Sequence, residues 1–211
     1  MSDIARTIML QRIRRAVGEA APAAVRAPLP LTPPPPHHEV VEQFAERVAD
    51  YRAIVERVDK AGLIAAIGAA IARHNVARPL VPPDLPQPWI DALPAGRIVD
   101  HSALSSADLD AGDGVVTACR LGVAVTGTIV LDHGAAQGRR ALTLIPDVHI
   151  CVVRAEQVVP DLPDAIALLH DAAAARRPLT FISGPSATSD IELSRVEGVH
   201  GPRTLHVLLV G

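Results

Sequence analysis

The sequence predicts one α/β domain built on a mixed, mostly parallel sheet, preceded by a helical arm. Three observations carry that expectation. Short runs rich in Val, Ile and Leu recur through the second half of the 211 residues, several of them apolar without interruption, as strands covered on both faces require. Segments of helical periodicity alternate with these runs, and strands interleaved with helices imply a sheet with helices on both sides. A proline-rich stretch, residues 22–36 with four consecutive prolines at Pro33–Pro36, separates the first helical segment from the rest. Proline fixes φ and removes a backbone donor, so this stretch reads as a stiff extended linker.

The elements follow in order. Residues 4–20 predict a helix, with Ile4, Ile8, Ile13 and Val17 near one face and Arg6, Arg12, Arg14 and Arg15 as a basic cluster elsewhere. Residues 1–36 are thus an arm and linker, and 37–211 the α/β domain. Helical spacing of Val41, Phe44, Val48, Tyr51 and Val55 predicts a helix over 40–55, and that of Leu63, Ile64, Ile67, Ala70 and Ile71 another over 60–74. Strands are expected at 78–81, 97–99, 114–119, 123–131, 149–153, 179–182 and 205–210, with further helices at 163–175 and 190–196. Between 112 and 153 no long helix intervenes, so that part of the sheet is expected to be antiparallel or mixed.

Bulk properties narrow the function. Aromatic residues are 2% of the chain, so the core must be aliphatic, and the net charge of −3 gives no basic stripe for nucleic acid. Cys119 and Cys151 are too few for a disulfide framework or for an iron–sulfur cluster, which takes four ligands. Each lies in an apolar run and is expected to be a buried free thiol. His37 and His38 are expected to be exposed, His149 to be a core histidine, and His206 to face solvent or a partner. No histidine pair has zinc-site spacing, so no metal site is expected. No signal peptide and no membrane-length apolar run is seen, which predicts a cytoplasmic protein.

Three segments invite chemistry. In Thr126-Gly127-Thr128 two hydroxyls flank a glycine within an apolar run. Glycine weakens a strand unless something approaches closely, either a ligand or the other half of a bulge. The stretch Ser183-Gly184-Pro185-Ser186-Ala187-Thr188-Ser189-Asp190-Ile191-Glu192 reads as a strand end, a tight turn and a helix start. Free N–H groups at a helix start favour an anion, with Ser186 and Thr188 as added donors, although Ser189 or Asp190 can equally serve as a cap. In Gly198-Val199-His200-Gly201-Pro202-Arg203, His200 is a candidate acid or base and Arg203 a candidate carboxylate clamp. The candidate catalytic residues are therefore Asp190, Glu192 and His200. The candidate ligand-binding residues are Thr126, Gly127, Thr128, Gly184, Ser186, Thr188, Gly201 and Arg203.

Taken in order, Thr126-Gly127-Thr128, the run Leu144-Ile145-Pro146-Asp147-Val148-His149-Ile150, Gly184-Pro185-Ser186-x-Thr188-x-Asp190-Ile191-Glu192 and Gly198-Val199-His200-Gly201-Pro202 resemble the LUD-domain family of lactate-utilisation proteins. The resemblance is dense from about Gly114 to Val210 and thin through the linker. It implies a three-layer α/β/α sandwich similar to the sugar-phosphate isomerase and CoA-transferase superfamily. It also implies a part in oxidising L-lactate, or a similar 2-hydroxy acid, to pyruvate. The iron–sulfur clusters for that reaction are expected in partner subunits of a complex, with no cofactor in this chain. Two departures stand out: Val125 occupies a position that is often acidic in the family, and Ala187 one that is often arginine. Arg203, Arg139 and Arg140 are the nearby replacements for that arginine. The other readings are a stand-alone enzyme on a phosphosugar or acyl substrate, and a purely structural or regulatory module.

Overall fold

A computed structural model describes residues 3–18, 35–184 and 201–211. The chain forms two units, residues 1–33 and 34–211. In the first, α1 (Asp3–Val17) is a helix whose apolar side chains Ile4, Ile8, Met9, Leu10 and Ile13 are all exposed. The second unit begins with α2 (His37–Asp50), β1 (Ile54–Val58), α3 (Leu63–Arg73), β2 (Pro79–Val81), α4 (Gln87–Asp91), β3 (Ile98–Val99), α5 (Ser106–Asp110) and β4 (Gly114–Ala118). It continues with β5 (Leu121–Val123), β6 (Thr128–Leu131), β7 (Val148–Arg154), β8 (Val158–Val159), α6 (Leu162–Ala174), β9 (Thr180–Ile182) and β10 (Thr204–Val210). No helix of the described residues is long and apolar enough to cross a membrane.

Six strands form a sheet in the order β1-β10-β7-β4-β2-β3, and every neighbouring pair is parallel. Its central strands are mostly apolar, because both faces are covered. One face carries Val116, Ile150, Val152 and Leu208 against Ile67, Ala70 and Ile71 of α3. The other carries Cys151, Val153, Val207 and Leu209 against Val40, Phe44 and Val48 of α2. A second sheet of four strands, β8-β5-β6-β9, is mixed: β5 and β9 both run antiparallel to β6, and β8 parallel to β5. Its Ile129 and Leu131 join the α2 core, while Leu121, Val123 and Val130 on the opposite face pack on Ala165 and Leu169 of α6. The mixed region expected between 112 and 153 is this second sheet.

Three expectations need correction. Residues 123–131 are not one strand but the two arms of a hairpin, with a turn at 124–127. Ala124 is buried and Val125, although 44% exposed, is apolar, so hydropathy does not mark the turn. The helix expected to reach residue 55 stops at Asp50, and Arg52 takes a positive φ of 64°. Beyond it, Ile54–Val58 is an edge strand; Glu56 and Arg57 broke the apolar run there and hid it. The five-residue helices α4 and α5 are too short to show periodicity, although α5 opens on a capping box made by Ser105 and Asp108. His206 does not face solvent. It is fully buried, its Nδ1 lies 3.0 Å from His74 Nε2, and its Nε2 lies 3.3 Å from Glu56 Oε2. Burial, and then the neighbouring His74, hold its pKa below the ordinary histidine value.

Candidate functional site

Beyond the carboxyl ends of β2, β4 and β7 the connecting segments border a cleft. After β4, Cys119 and Arg120 lead on into β5; after β6, residues 132–138 loop to the same edge, where the Ala136 carbonyl accepts from the Ala118 N–H. The resulting space of about 500 Å³ is lined by Asp84, Trp89, Cys119, Arg120, Asp132, Gln137, Arg154, Gln157 and Arg177 among others. In open α/β sheets this carboxyl edge is where ligands sit.

The 132–138 loop is held in an unusual conformation. His133 and Ala136 have positive φ, 54° and 58°, and so does Gly138 at 68°. Non-glycine residues in that region are strained, and such strain clusters at functional sites. Specific bonds fix it. The Ala136 N–H donates to Asp84 Oδ2 at 2.9 Å, and its carbonyl accepts from the Ala118 N–H at 2.8 Å. The His133 ring bridges the Gly138 carbonyl, at 2.8 Å from Nδ1, and the Thr180 hydroxyl, at 2.9 Å from Nε2. A carbonyl only accepts, so the Nδ1 atom donates. Asp132 and Gln137 close the loop reciprocally: the Asp132 N–H donates to Gln137 Oε1 and Gln137 Nε2 donates to Asp132 Oδ1, each at 2.8 Å.

Charge is arranged around that clamp. The Asp132 carboxylate is 3% exposed and meets Arg177 Nη2 at 3.1 Å and Arg120 Nε at 3.8 Å. One buried carboxylate thus anchors two guanidinium groups on the cleft wall. Arg154, at the end of β7, also lines the cleft and has no carboxylate partner among the described residues. A planar guanidinium with open donors suits a carboxylate or phosphate, which it engages through two parallel hydrogen bonds.

The residues singled out from sequence lie elsewhere. Thr126, Gly127 and Thr128 form the end of the β5–β6 hairpin and the start of β6, near the last turn of α2. A chain of hydroxyls links Thr126 to Thr128 at 2.8 Å and Thr128 to Ser183 at 2.7 Å. Gly127 has φ 59°, and a Cβ there would stand 2.6 Å from the backbone of Arg47. Gly184 has φ 88°, and its Cβ would meet Tyr51 at 2.6 Å. Close approach is therefore what these glycines allow, and the approaching group is α2. Gly127→Ala is expected to destabilise the fold by about 2 kcal/mol through overpacking and a left-handed backbone, read as a lower denaturant midpoint. A shallow hollow beside Thr126 is lined by Arg47, Asp50, Tyr51 and Val125.

Arg203 sits before β10, at the opposite sheet edge from the cleft, and pairs at 3.6 Å with Asp147; both are 65% exposed. Gly201 lies two residues before it. Of the replacement arginines, Arg139 is engaged by Asp100 at 2.9 Å. Ser186, Thr188, Asp190, Glu192 and His200, and the helix expected at 190–196, lie outside the described residues. The 183–192 stretch follows β9, a strand of the small mixed sheet, so the carboxyl-edge rule for open parallel sheets does not extend to it. Arg120, Arg154, Arg177, Asp132 and Gln137 were not picked out from sequence. Their one local signal is that Arg120 and Arg154 each follow directly on an apolar run, and Asp132-His133-Gly134 on another.

Fold and cleft together define an α/β protein with a parallel central sheet and a guanidinium-lined crevice at its carboxyl edge. The chain belongs to the LUD domain family, whose model matches residues 41–210. It is 46% identical to Lactate utilization protein C of Deinococcus radiodurans over 203 residues, 96% of this chain and 94% of that one. Lactate utilization protein C 1 of Bacillus mycoides is 36% identical over 104 residues, 47% of this chain and 44% of that protein. The crystal structure of a DUF162 family protein from Deinococcus radiodurans superposes with a TM-score of 0.71 at 40% identity, covering 86% of this chain and all of that one.

Proposed function

We propose that this chain serves lactate utilisation as a subunit or accessory protein, and that its cleft holds the small 2-hydroxy or 2-oxo acid. The observation that carries the reading is 46% identity, over 96% of the chain, to a protein named Lactate utilization protein C. The cleft supports it chemically: Arg154 presents a guanidinium with no carboxylate partner among the described residues, and Arg120 and Arg177 are held in place by Asp132. In this reading Arg154 takes the substrate carboxylate, and the strained 132–138 loop keeps the opposite wall rigid.

Oxidation of lactate to pyruvate releases two electrons and two protons, and the electrons need an acceptor. The proposal places that acceptor in iron–sulfur partner subunits, since the two cysteines here fall short of the four ligands a cluster takes. This chain then binds and orients the acid. The test is lactate-dependent dye reduction by the partner subunits with and without this chain. The proposal expects the rate to fall sharply on omission; an unchanged rate would refute it. Arg154→Gln is expected to weaken binding of lactate or pyruvate about tenfold or more, the usual effect of losing a hydrogen bond to a charged group, measured by calorimetric titration.

A further inference from the structure

Toward the amino end of β10, away from the cleft, one side chain interrupts an aliphatic strand. From Leu205 to Val210 every residue is leucine or valine except His206. His206 is fully buried, and alternation puts it on the face that Leu208 turns toward α3. Two elements hold its ring. His74, the residue that ends α3, places Nε2 3.0 Å from His206 Nδ1, with ring centroids 5.2 Å apart and planes at 84°. Glu56 of β1 places Oε2 3.3 Å from His206 Nε2. That contact is not aligned for a hydrogen bond, so Nε2 is buried without a hydrogen-bond partner among the described residues. A leucine would fill this position without orphaning a ring nitrogen, so core packing alone does not account for the histidine.

Two ring nitrogens at hydrogen-bond distance share one hydrogen. The Glu56 carboxylate accepts only, which favours a proton on His206 Nε2; Nδ1 of the neutral ring is then the acceptor and His74 Nε2 the donor. His74 is half-buried and can take a further proton at Nδ1 with this contact intact. A proton on His206 Nδ1 would set one N–H against another. Few charges surround the pair. α3 supplies Arg73, β1 supplies Glu56, and β7 supplies the uncharged Ile150, in register with His206. Arg57 of β1 lies on the other face, paired with Glu42 of α2. Burial, then Arg73, hold the His74 pKa below the ordinary histidine value. Burial, then His74, do the same to His206, with Glu56 opposing them and Arg73 adding a smaller push downward.

We propose that His74 and His206 form an acid-sensitive latch, which pins the end of α3 to β10 and β1 while both rings are neutral and releases it once both carry a proton. The segments it joins have few other ties at this end. β1 is an edge strand, hydrogen-bonded to β10 alone. The turn after α3 passes through Asn75 at a φ of 54°. Double protonation places two like charges at hydrogen-bond distance beside Arg73, and the single Glu56 carboxylate offsets only one of them. The opened or unfolded chain takes up these protons around the ordinary histidine value of 6.5, and the closed pair only at lower pH. Below that value the opened state therefore binds more protons, so the latch's contribution is complete above it and is lost as pH falls.

The experiment is amide hydrogen exchange read by mass on the full-length chain at about pH 7.5 and about pH 5, corrected for the intrinsic effect of pH, beside nitrogen NMR of the histidine rings. The expected result is that protection falls severalfold at the lower pH in β1 and at the end of α3, residues 54–58 and 70–76, while α6, residues 162–174, keeps its protection. His74→Gln retains an N–H donor and cannot ionise, so its protection in the first two segments should change little with pH. In the spectra His206 should carry its proton on Nε2 and stay neutral at a pH where free histidine is half protonated. Ordinary titration of both rings would overturn the proposal. So would a loss of protection spread evenly along the chain, or the same pH response in His74→Gln as in the unaltered chain. The spectra of the unaltered chain decide the matter if that variant does not fold.

Discussion

Phe44→Ala is expected to lower the unfolding free energy by about 3–5 kcal/mol, the range for truncating a buried aromatic side chain. Phe44 is fully buried and lies in the cluster that joins α2, the face of the six-stranded sheet and the second sheet. The second sheet is shaped to receive it: a Cβ on Gly122 would come within 2.7 Å of the Phe44 ring. With aromatics at 2% of the chain, no neighbouring ring can swing in to fill the void. Urea melts of the alanine variant and of Phe44→Leu should rank the losses by volume removed. A loss under about 1 kcal/mol for alanine, far below that range, would mean that α2 does not hold the two sheets together.

Asp132→Ala carries the second large effect, about 2–3 kcal/mol in stability together with loss of anion binding. Removing one member of a buried ion pair costs about 3–5 kcal/mol when the other charge is stranded. Here the value is lower, because Arg120 and Arg177 keep 46% and 41% of their side chains in solvent and can rehydrate. What cannot rehydrate easily is Gln137, 3% exposed, whose amide loses its acceptor. The Gly134 N–H, which donates to the same oxygen at 3.1 Å, loses its partner too. The loop then has little to hold His133 and Ala136 at positive φ, and the two guanidinium groups lose their common anchor. Thermal melts and anion titration on the same sample check both halves. Stability lost with binding intact would show that the clamp does not shape the cleft.

The frame of the fold was legible because it rests on strong, local signals. Runs such as Val148–Arg154 and Thr204–Val210 are apolar on both faces, and a buried parallel strand has no other way to look. Helix α3 showed its face because five buried positions recur at helical spacing. What failed were places where tertiary contacts outrank local pattern. The 124–127 turn follows the apolar strand β5 without a polar break, because Ala124 is buried and Val125 stands exposed at its tip. Edge strand β1 carries Glu56 and Arg57 because part of it meets solvent. Isolated sequence also weighs a glycine between two threonines more heavily than an aspartate after a strand. Yet Gly127 proves to make room for α2, while Asp132 organises the cleft. The arginines of the cleft come from three separate stretches of chain, at 120, 154 and 177, and only the parallel order of β4 and β7 and the return of the chain through α6 assemble them. His206 follows the same logic: it is expected to face solvent or a partner, but α3 covers that side and His74 at its end lies against it.

The most direct measurement is calorimetric titration of L-lactate and pyruvate into the full-length chain, its Arg154→Gln variant and its Thr126→Val variant. The account predicts saturable binding to the unaltered chain, loss of about tenfold or more in Arg154→Gln, and binding retained in Thr126→Val. Binding that survives Arg154→Gln but disappears in Thr126→Val would contradict it, moving the anion from the carboxyl edge of the sheet to the hairpin beside α2.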